Sequence, residues 1–449
     1  MAESLGLVLS GGGTRGAFEA GAVQLLVHRG TPLPKVITGA SAGSICAAVL
    51  SQASTDAEFA ELSGVLRNDI LAMTAMNEVF AHSDWMSELA GTDIEAVVMQ
   101  AVLGQGRPTV GPDPNITDDP LVDPAAPTSG AWKLVAGSVL HPVRVSRARK
   151  ALAAGASSLM TLAPLEDALR GRATSDIKPV DQARIGASGV TLRIAITPLH
   201  AGVPRYVTES GHIVASDAQT PHPEGASPGV IEGVLASSSV PVLFPPRPIG
   251  DDVYVDGGVL RNLPVEAAVH VGAGDLIAIS ANPAFPPPLP ETPRRPDMTT
   301  TFERYAVLQF YDQVRRSQSY PLADGASMVS VFPTLNVVAP FEVQPGLLMI
   351  DLDYGWLRAA EATGLDAETA ARAGEVSDRI ITGRQRAWYA ESAIANASAA
   401  KNGTPADPRL PKTLASAKAM VAAAVEEWRG FGLPLPADAD AWAHNPEVH

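Results

Sequence analysis

Residues 38–43, Thr-Gly-Ala-Ser-Ala-Gly, set one serine between two glycines in a G-x-S-x-G element. The apolar pair Val36-Ile37 precedes it and a helix-like stretch, Ser44 to Leu50, follows. That strand-to-turn-to-helix setting is the one in which such a serine is a nucleophile. So tight a turn admits only small neighbours, which accounts for Gly39 and Gly43 on either side of Ser41. A helix starting just after Ser41 aims free N–H groups, that of Ala42 among them, and its positive dipole end at an oxyanion formed there. The chemistry is attack on an acyl carbon. A second match, Gly225-Ala226-Ser227-Pro228-Gly229, follows His222-Pro223-Glu224 and no apolar strand. Pro228 lacks an N–H to offer an oxyanion, so Ser227 reads as part of a surface turn.

Gly11-Gly12-Gly13-Thr14-Arg15-Gly16 fits G-x-G-x-x-G, the dinucleotide fingerprint. That reading wants an acidic residue about twenty positions on, and none occurs between Glu19 and Asp56. The alternative is an oxyanion loop, in which Gly12 and Gly13 bring N–H groups to the Ser41 turn without a side chain in the way. A plain tight turn is the remaining reading. Arg15 orients the loop, meets a substrate phosphate or sits in an ion pair.

A serine nucleophile needs a base. None of the 9 histidines stands after a late strand as a triad histidine would; His270, in Ala-Ala-Val-His-Val, reads as a packed helix residue. Asp256 ends the strand-like Val253-Tyr254-Val255 and precedes Gly257-Gly258. It is either the partner of Ser41 or an ordinary Asp-Gly turn. Asp251 and Asp252, at the strand's other end, read as solvated. A free carboxylate titrates near 4, so burial against Ser41 would have to raise its basicity. The resulting dyad has Asp256 accept the Ser41 proton while N–H groups of Gly12, Gly13 and Ala42 hold the oxyanion.

The elements that must position these groups read as strand Leu5–Ser10, helix Ala17–Arg29, strand Val36–Thr38 and helix Ser44–Gln52, an opening that predicts a parallel α/β sheet. From about 55 to 185 the pattern is helical and less regular, broken by a Pro/Asp-rich stretch over 104–130 that reads as an exposed loop. Strand character returns at Leu192–Thr197, Arg205–Glu209, Val253–Val255 and Asp275–Ser280, and 283–296 is proline-rich. Thr301–Gln318, Tyr354–Ala397 and Leu410–Trp428 read as helical. The expected division is a catalytic domain over 1–355, with an insertion at about 55–190, and a helical region over 356–449 packed on it.

A hydrophobic content of 46% with 18% charged residues suits a sizeable core. The net charge of −15 argues against nucleic acid, and the basic group Arg144, Arg147, Arg149 and Lys150 reads as a solvated face. The single cysteine, Cys46, excludes an intrachain disulfide and reads as a small buried residue. No apolar run reaches 18 residues and no signal peptide is evident, which makes cytoplasmic the default location.

With G-G-G-x-R-G at Gly11–Gly16, G-x-S-x-G at Ser41 and D-G-G at Asp256, in that order, the chain resembles the patatin-like phospholipase family. Supporting stretches are Ala236-Ser-Ser-Ser-Val-Pro-Val-Leu-Phe-Pro-Pro246, Asp256-Gly-Gly-Val-Leu-Arg-Asn-Leu-Pro264 and Gly272–Ser280, and the likeness runs from about 5 to 282. It implies a three-layer α/β/α fold with a mainly parallel central sheet, a helical insertion and C-terminal helices. It also implies a Ser–Asp dyad of Ser41 and Asp256, an oxyanion loop over Gly11–Gly16, no metal or cofactor, and hydrolysis of lipid acyl esters. A lipid substrate implies peripheral contact with a membrane surface, for which Trp132, Leu134 and Val135 are candidates, core burial being the other reading. Transacylation or thioester hydrolysis on the same dyad, and a catalytically silent lipid-binding module, are the competing functions.

Overall fold

Leu7, Leu9 and Ile37 point to one side of their strands, Val8 and Val36 to the other, and both sets are buried. Strands that are apolar on both faces demand a cover on each. A computed structural model describes residues 4–89, 119–121, 146–147, 150, 153–173, 177–222, 226–286, 298–399 and 406–442. In it β1 (Gly6–Leu9), β2 (Val36–Gly39), β5 (Thr191–Pro198), β10 (Leu276–Ile279) and β11 (Met328–Val331) form the parallel part of one sheet, ordered β11-β10-β1-β2-β5. β6 (Arg205–Thr208) and β7 (Ile213–Val214) extend it antiparallel. β8 (Arg247–Ile249) pairs with β9 (Asp252–Asp256), which runs antiparallel to β5.

On one face lie α1 (Gly16–His28), α2 (Ala42–Leu50), α3 (Asp56–Ala72) and further helices; the other is covered from near the chain's later half. In the insertion come α4 (Asp84–Ser87), α5 (Ala163–Leu169) and α6 (Gln182–Ala187), with β3 (Ala81–His82) and β4 (Met160–Thr161) paired antiparallel. After β7 follow α7 (Val230–Ser237), α8 (Gly258–Arg261), α9 (Val265–His270) and α10 (Met298–Gln318). α9 and α10 supply Val265, Ala268 and Val314 to the second face. The fold is therefore α/β in three layers.

Three helices close the chain: α11 (Pro345–Gly364), α12 (Ala367–Ala399) and α13 (Leu410–Arg429). The helical reading of Tyr354–Ala397 is two helices. Leu365 turns extended at φ −130° and Asp366 accepts the Glu368 and Thr369 N–H groups, capping α12. A boundary after residue 355 falls inside α11. The fully buried Arg384 of α12 pairs with Asp353 of α11 at 2.7 Å. β11, with no counterpart among the expected strands, lies at the sheet edge beside β10.

Among the basic group, Arg147 pairs with Glu88 at 3.1 Å in an exposed position; Arg144 and Arg149 lie outside the described residues. So do Trp132, Leu134 and Val135, and most of the 104–130 stretch. Among the described residues no helix is long and apolar enough to cross a membrane.

Candidate active site

β2 ends at Gly39, and the chain reverses at Ser41 with φ 49° and ψ −126° before α2 begins. A left-handed φ on a residue with a side chain is strained, at a cost of about 1–3 kcal/mol. The surroundings hold it there: the Ser41 N–H donates to Ser237 Oγ at 2.9 Å, Gly43 N–H to the Ser10 carbonyl at 3.0 Å, and Ser44 Oγ to the Ser41 carbonyl at 2.5 Å.

The glycine loop lies against this turn, since a Cβ on Gly11 would stand 2.9 Å from Ser41 Cβ. Gly13 has φ +61° and its missing Cβ would fall 1.8 Å from the Pro340 carbonyl oxygen, so no other residue fits. Four of the loop's N–H groups have protein acceptors. Gly11 donates to the Asn262 carbonyl, Thr14 to Pro340, Arg15 to Gly12, and Gly16 to Gly13 and Thr14. Among the described residues the N–H groups of Gly12, Gly13 and Ala42 have none. The Arg15 side chain turns into the protein, where Nε donates to the Val338 carbonyl at 2.9 Å and Nη1 to Asn282 Oδ1 at 3.1 Å. It is 5% exposed. It orients the loop and cannot meet a substrate phosphate.

β5 brings Asp256 to the same place. Ile194 pairs with Gly39 on one edge and Val207 on the other, while Ile196 pairs with Asp256 and Arg205. β9 thus takes over the β2 edge where β2 turns away, two residues beyond Gly39, about 7 Å along the strand. The Asp256 carboxyl is buried; Oδ1 accepts the Gly258 N–H at 2.6 Å. The Ser41 hydroxyl lies close enough to lower its pKa, as does the Gly258 N–H, but burial outweighs both and pushes it up to about 7. The serine contact falls short of a full hydrogen bond, because Asp256 Oδ2 is buried with no partner in good geometry. Such contacts commonly tighten only when substrate binds.

A cavity of about 130 Å³ starts at Ser41, Ala42 and Gly13 and runs along one face of α2, past Ile45, Cys46 and Val49. Those positions share a face by their i, i+3, i+4, i+7 spacing. Leu66 and Ile70 of α3 and Leu162, Leu165 and Leu169 at α5 line it opposite, and Phe80, Phe244 and Phe341 stack as a cluster with centroids 5.2–6.0 Å apart. Burial pushes the Cys46 thiol up, leaving it a small apolar wall.

Among the described residues no histidine lines this cavity. His270 is exposed as the last residue of α9, against Tyr320, and not packed as its sequence setting suggests, because the buried face of α9 is taken by Val265, Ala267 and Ala268. Asp252 is not solvated as expected: its side chain is only 18% exposed, 3.0 Å from His200. Ser227 sits on an exposed turn with Oγ 3.4 Å from the Gly211 carbonyl. Ser227→Ala is expected to leave ester hydrolysis within about twofold of wild type; a large loss in a rate assay would mean the other G-x-S-x-G holds the nucleophile.

Sequence reasoning did not single out Ser237, Asn262, Asn282, Glu19 or Asp351. Glu19, on the first turn of α1, accepts the Ser10 N–H at 2.6 Å and burial raises its pKa well above normal. Asp351, pushed up to about 8 by burial, lies on α11 near Arg15. Among the described residues no three His, Cys, Asp or Glu side chains gather as a metal cage.

No curated protein matches the chain. Among solved structures, VipD from Legionella pneumophila aligns over 100% of this chain and 92% of its own at 15% identity and TM-score 0.32. The type III effector protein ExoU aligns over 98% and 72% at 17% identity and TM-score 0.20. The full-length SpcU–ExoU complex from the type III secretion system of Pseudomonas aeruginosa gives 98%, 70%, 16% and 0.24. The family model described as patatin-like phospholipase matches residues 7–269, which spans β1, the glycine loop, the Ser41 turn and Asp256. With more than half of its length so matched, the chain belongs to the patatin-like phospholipase family, whose members are in general lipid acyl hydrolases.

Proposed function

We propose that this chain hydrolyses lipid acyl esters, of phospholipids or acylglycerols, through a Ser41–Asp256 dyad. Asp256 takes the Ser41 proton as Oγ bonds to the acyl carbon. The carbonyl oxygen becomes an oxyanion held by the N–H groups of Gly12, Gly13 and Ala42. Collapse breaks the ester bond, and Asp256 returns the proton to the departing alcohol. Water then attacks the acyl-enzyme, giving its proton to Asp256, and the second collapse frees the fatty acid and restores Ser41.

The observation that supports this most is a buried carboxyl group with a pKa pushed up to about 7 beside a strained serine, with uncommitted N–H groups in the adjoining loop and helix start and an apolar cavity in front. Mass spectrometry of products from mixed phospholipid and acylglycerol vesicles, with Ser41→Ala as control, tests it. Serine-dependent release of free fatty acid is the expected result. Release only as an ester with added alcohol would make the protein a transacylase. No serine-dependent product would leave a binding module.

The acyl chain occupies the cavity along α2. Ala42 to Val49 spans about 10 Å of helix, room for about eight carbons of an extended tail. Val49→Trp is therefore expected to cut the dodecanoate-to-butyrate ratio of kcat/KM on p-nitrophenyl esters about tenfold. An unchanged ratio would place the chain elsewhere.

A further inference from the structure

We propose that Asn262 and Asn282 are positioning residues that fix the Gly11–Gly12 peptide so that the Gly12 N–H is presented to the oxyanion, a role that rests on the hydrolase reading above. Asn282 Nδ2 donates to the Gly11 carbonyl at 2.7 Å, and Asn262 Nδ2 donates to the same oxygen at 3.2 Å. Both lone pairs of one carbonyl are thereby taken. In a planar trans peptide the C=O and the following N–H point in opposite directions. Gripping the Gly11 oxygen therefore aims the Gly12 N–H away from the asparagines, and that N–H has no acceptor among the described residues.

Each asparagine is itself held. Asn282 Oδ1 accepts from Arg15, and its N–H donates to Ser280 Oγ at 3.2 Å. Asn262 holds Gly11 from both ends, its carbonyl taking the Gly11 N–H at 3.0 Å while its side chain reaches the Gly11 oxygen. The close fit requires glycine, because a Cβ at position 11 would stand 2.7 Å from Asn262 Nδ2. Both side chains are buried; Asn262 Oδ1 has no partner among the described residues, so the Nδ2 bond to Gly11 is what orients that amide. A diglycine peptide without this grip is free to turn, and turned over it would set a carbonyl dipole against the developing charge.

The test uses Asn282→Asp and Asn262→Asp, which keep shape and lose the donor, with Asn282→Leu in case a buried charge prevents folding. On a soluble ester, kcat is expected to fall about 10²-fold with KM within about threefold, the loss typical of one oxyanion donor. Because both side chains act on one oxygen, the double variant should fall short of the product of the single losses. The Gly12 amide resonance should move in the resting variants relative to wild type. Near wild-type kcat in a folded variant overturns the proposal and leaves the dyad standing. Equal damage to kcat, KM and Tm makes the asparagines merely structural and also overturns it. Should Ser41→Ala retain activity, the hydrolase reading fails on its own, and an unmoved Gly12 resonance then refutes the grip independently of catalysis.

Discussion

Ser41→Ala is expected to abolish ester hydrolysis, lowering kcat by about 10⁴-fold or more, while leaving the fold intact. Removing the nucleophile of a unit removes nearly all that the unit does. The turn does not collapse, because alanine keeps a Cβ at φ 49° and so keeps the same strain. The anchors on the main chain of the turn, to Ser237 and from Ser44 and Gly43, are untouched. Ser41→Gly separates the two effects: it is equally inactive but relieves the left-handed strain, and its Tm should exceed that of the alanine variant. Rate assays, fluorophosphonate labelling and thermal melts check this. A retained rate or label in either variant would sink the dyad.

Asp256→Asn should lower kcat by about 10³–10⁴-fold and, unlike most active-site losses, raise stability at neutral pH. The carboxyl titrates at about 7 in the folded protein against 3.8 when exposed. Below 3.8 both states hold the proton and the group is neutral to folding. As pH rises from there to about 7, the folded state keeps a proton that the unfolded chain has lost, so stability falls. Above about 7 the deficit is constant, at most on the order of 4 kcal/mol. Asparagine never carries that charge. The stability difference between variant and wild type should therefore grow across this window and then level off. Asp351 shifts in the same direction, and taking the difference cancels it. Catalysis has the opposite slope: wild-type kcat/KM should climb tenfold per pH unit up to about 7, where the base is free, and the residual rate of the variant should be flat across the same range. Denaturant melts and pH–rate profiles check both; a variant less stable than wild type at pH 8 would contradict the burial argument.

Much of the framework was legible because its signals are local. The Ser41 turn announces itself by small residues between an apolar pair and a helix, and the strands around it by unbroken apolar runs. The nearness of Asp256 to Ser41 could be guessed only from motif order, since it depends on β9 replacing β2 along the edge of β5, a register no local pattern encodes. Asn262, Asn282 and Ser237 carry no local signal because each acts through contacts remote in sequence, and a buried amide looks like any other polar residue along the chain. β11, Met-Val-Ser-Val, is too short for periodicity to mark and gains its place from β10. His270 stands at the surface because it is the last residue of α9, beyond the positions that this helix buries.

The supports of the glycine loop lie far downstream. Val338, Ala339 and Pro340 receive its hydrogen bonds, and Asn282 orients it, yet all four stand beyond residue 269, where the family match ends. The matched portion thus holds the reacting groups and the strands that carry them, while part of the loop's hydrogen-bonded support stands outside it. A chain trimmed to the matched residues would keep every named motif and lose these hydrogen bonds to the glycine loop.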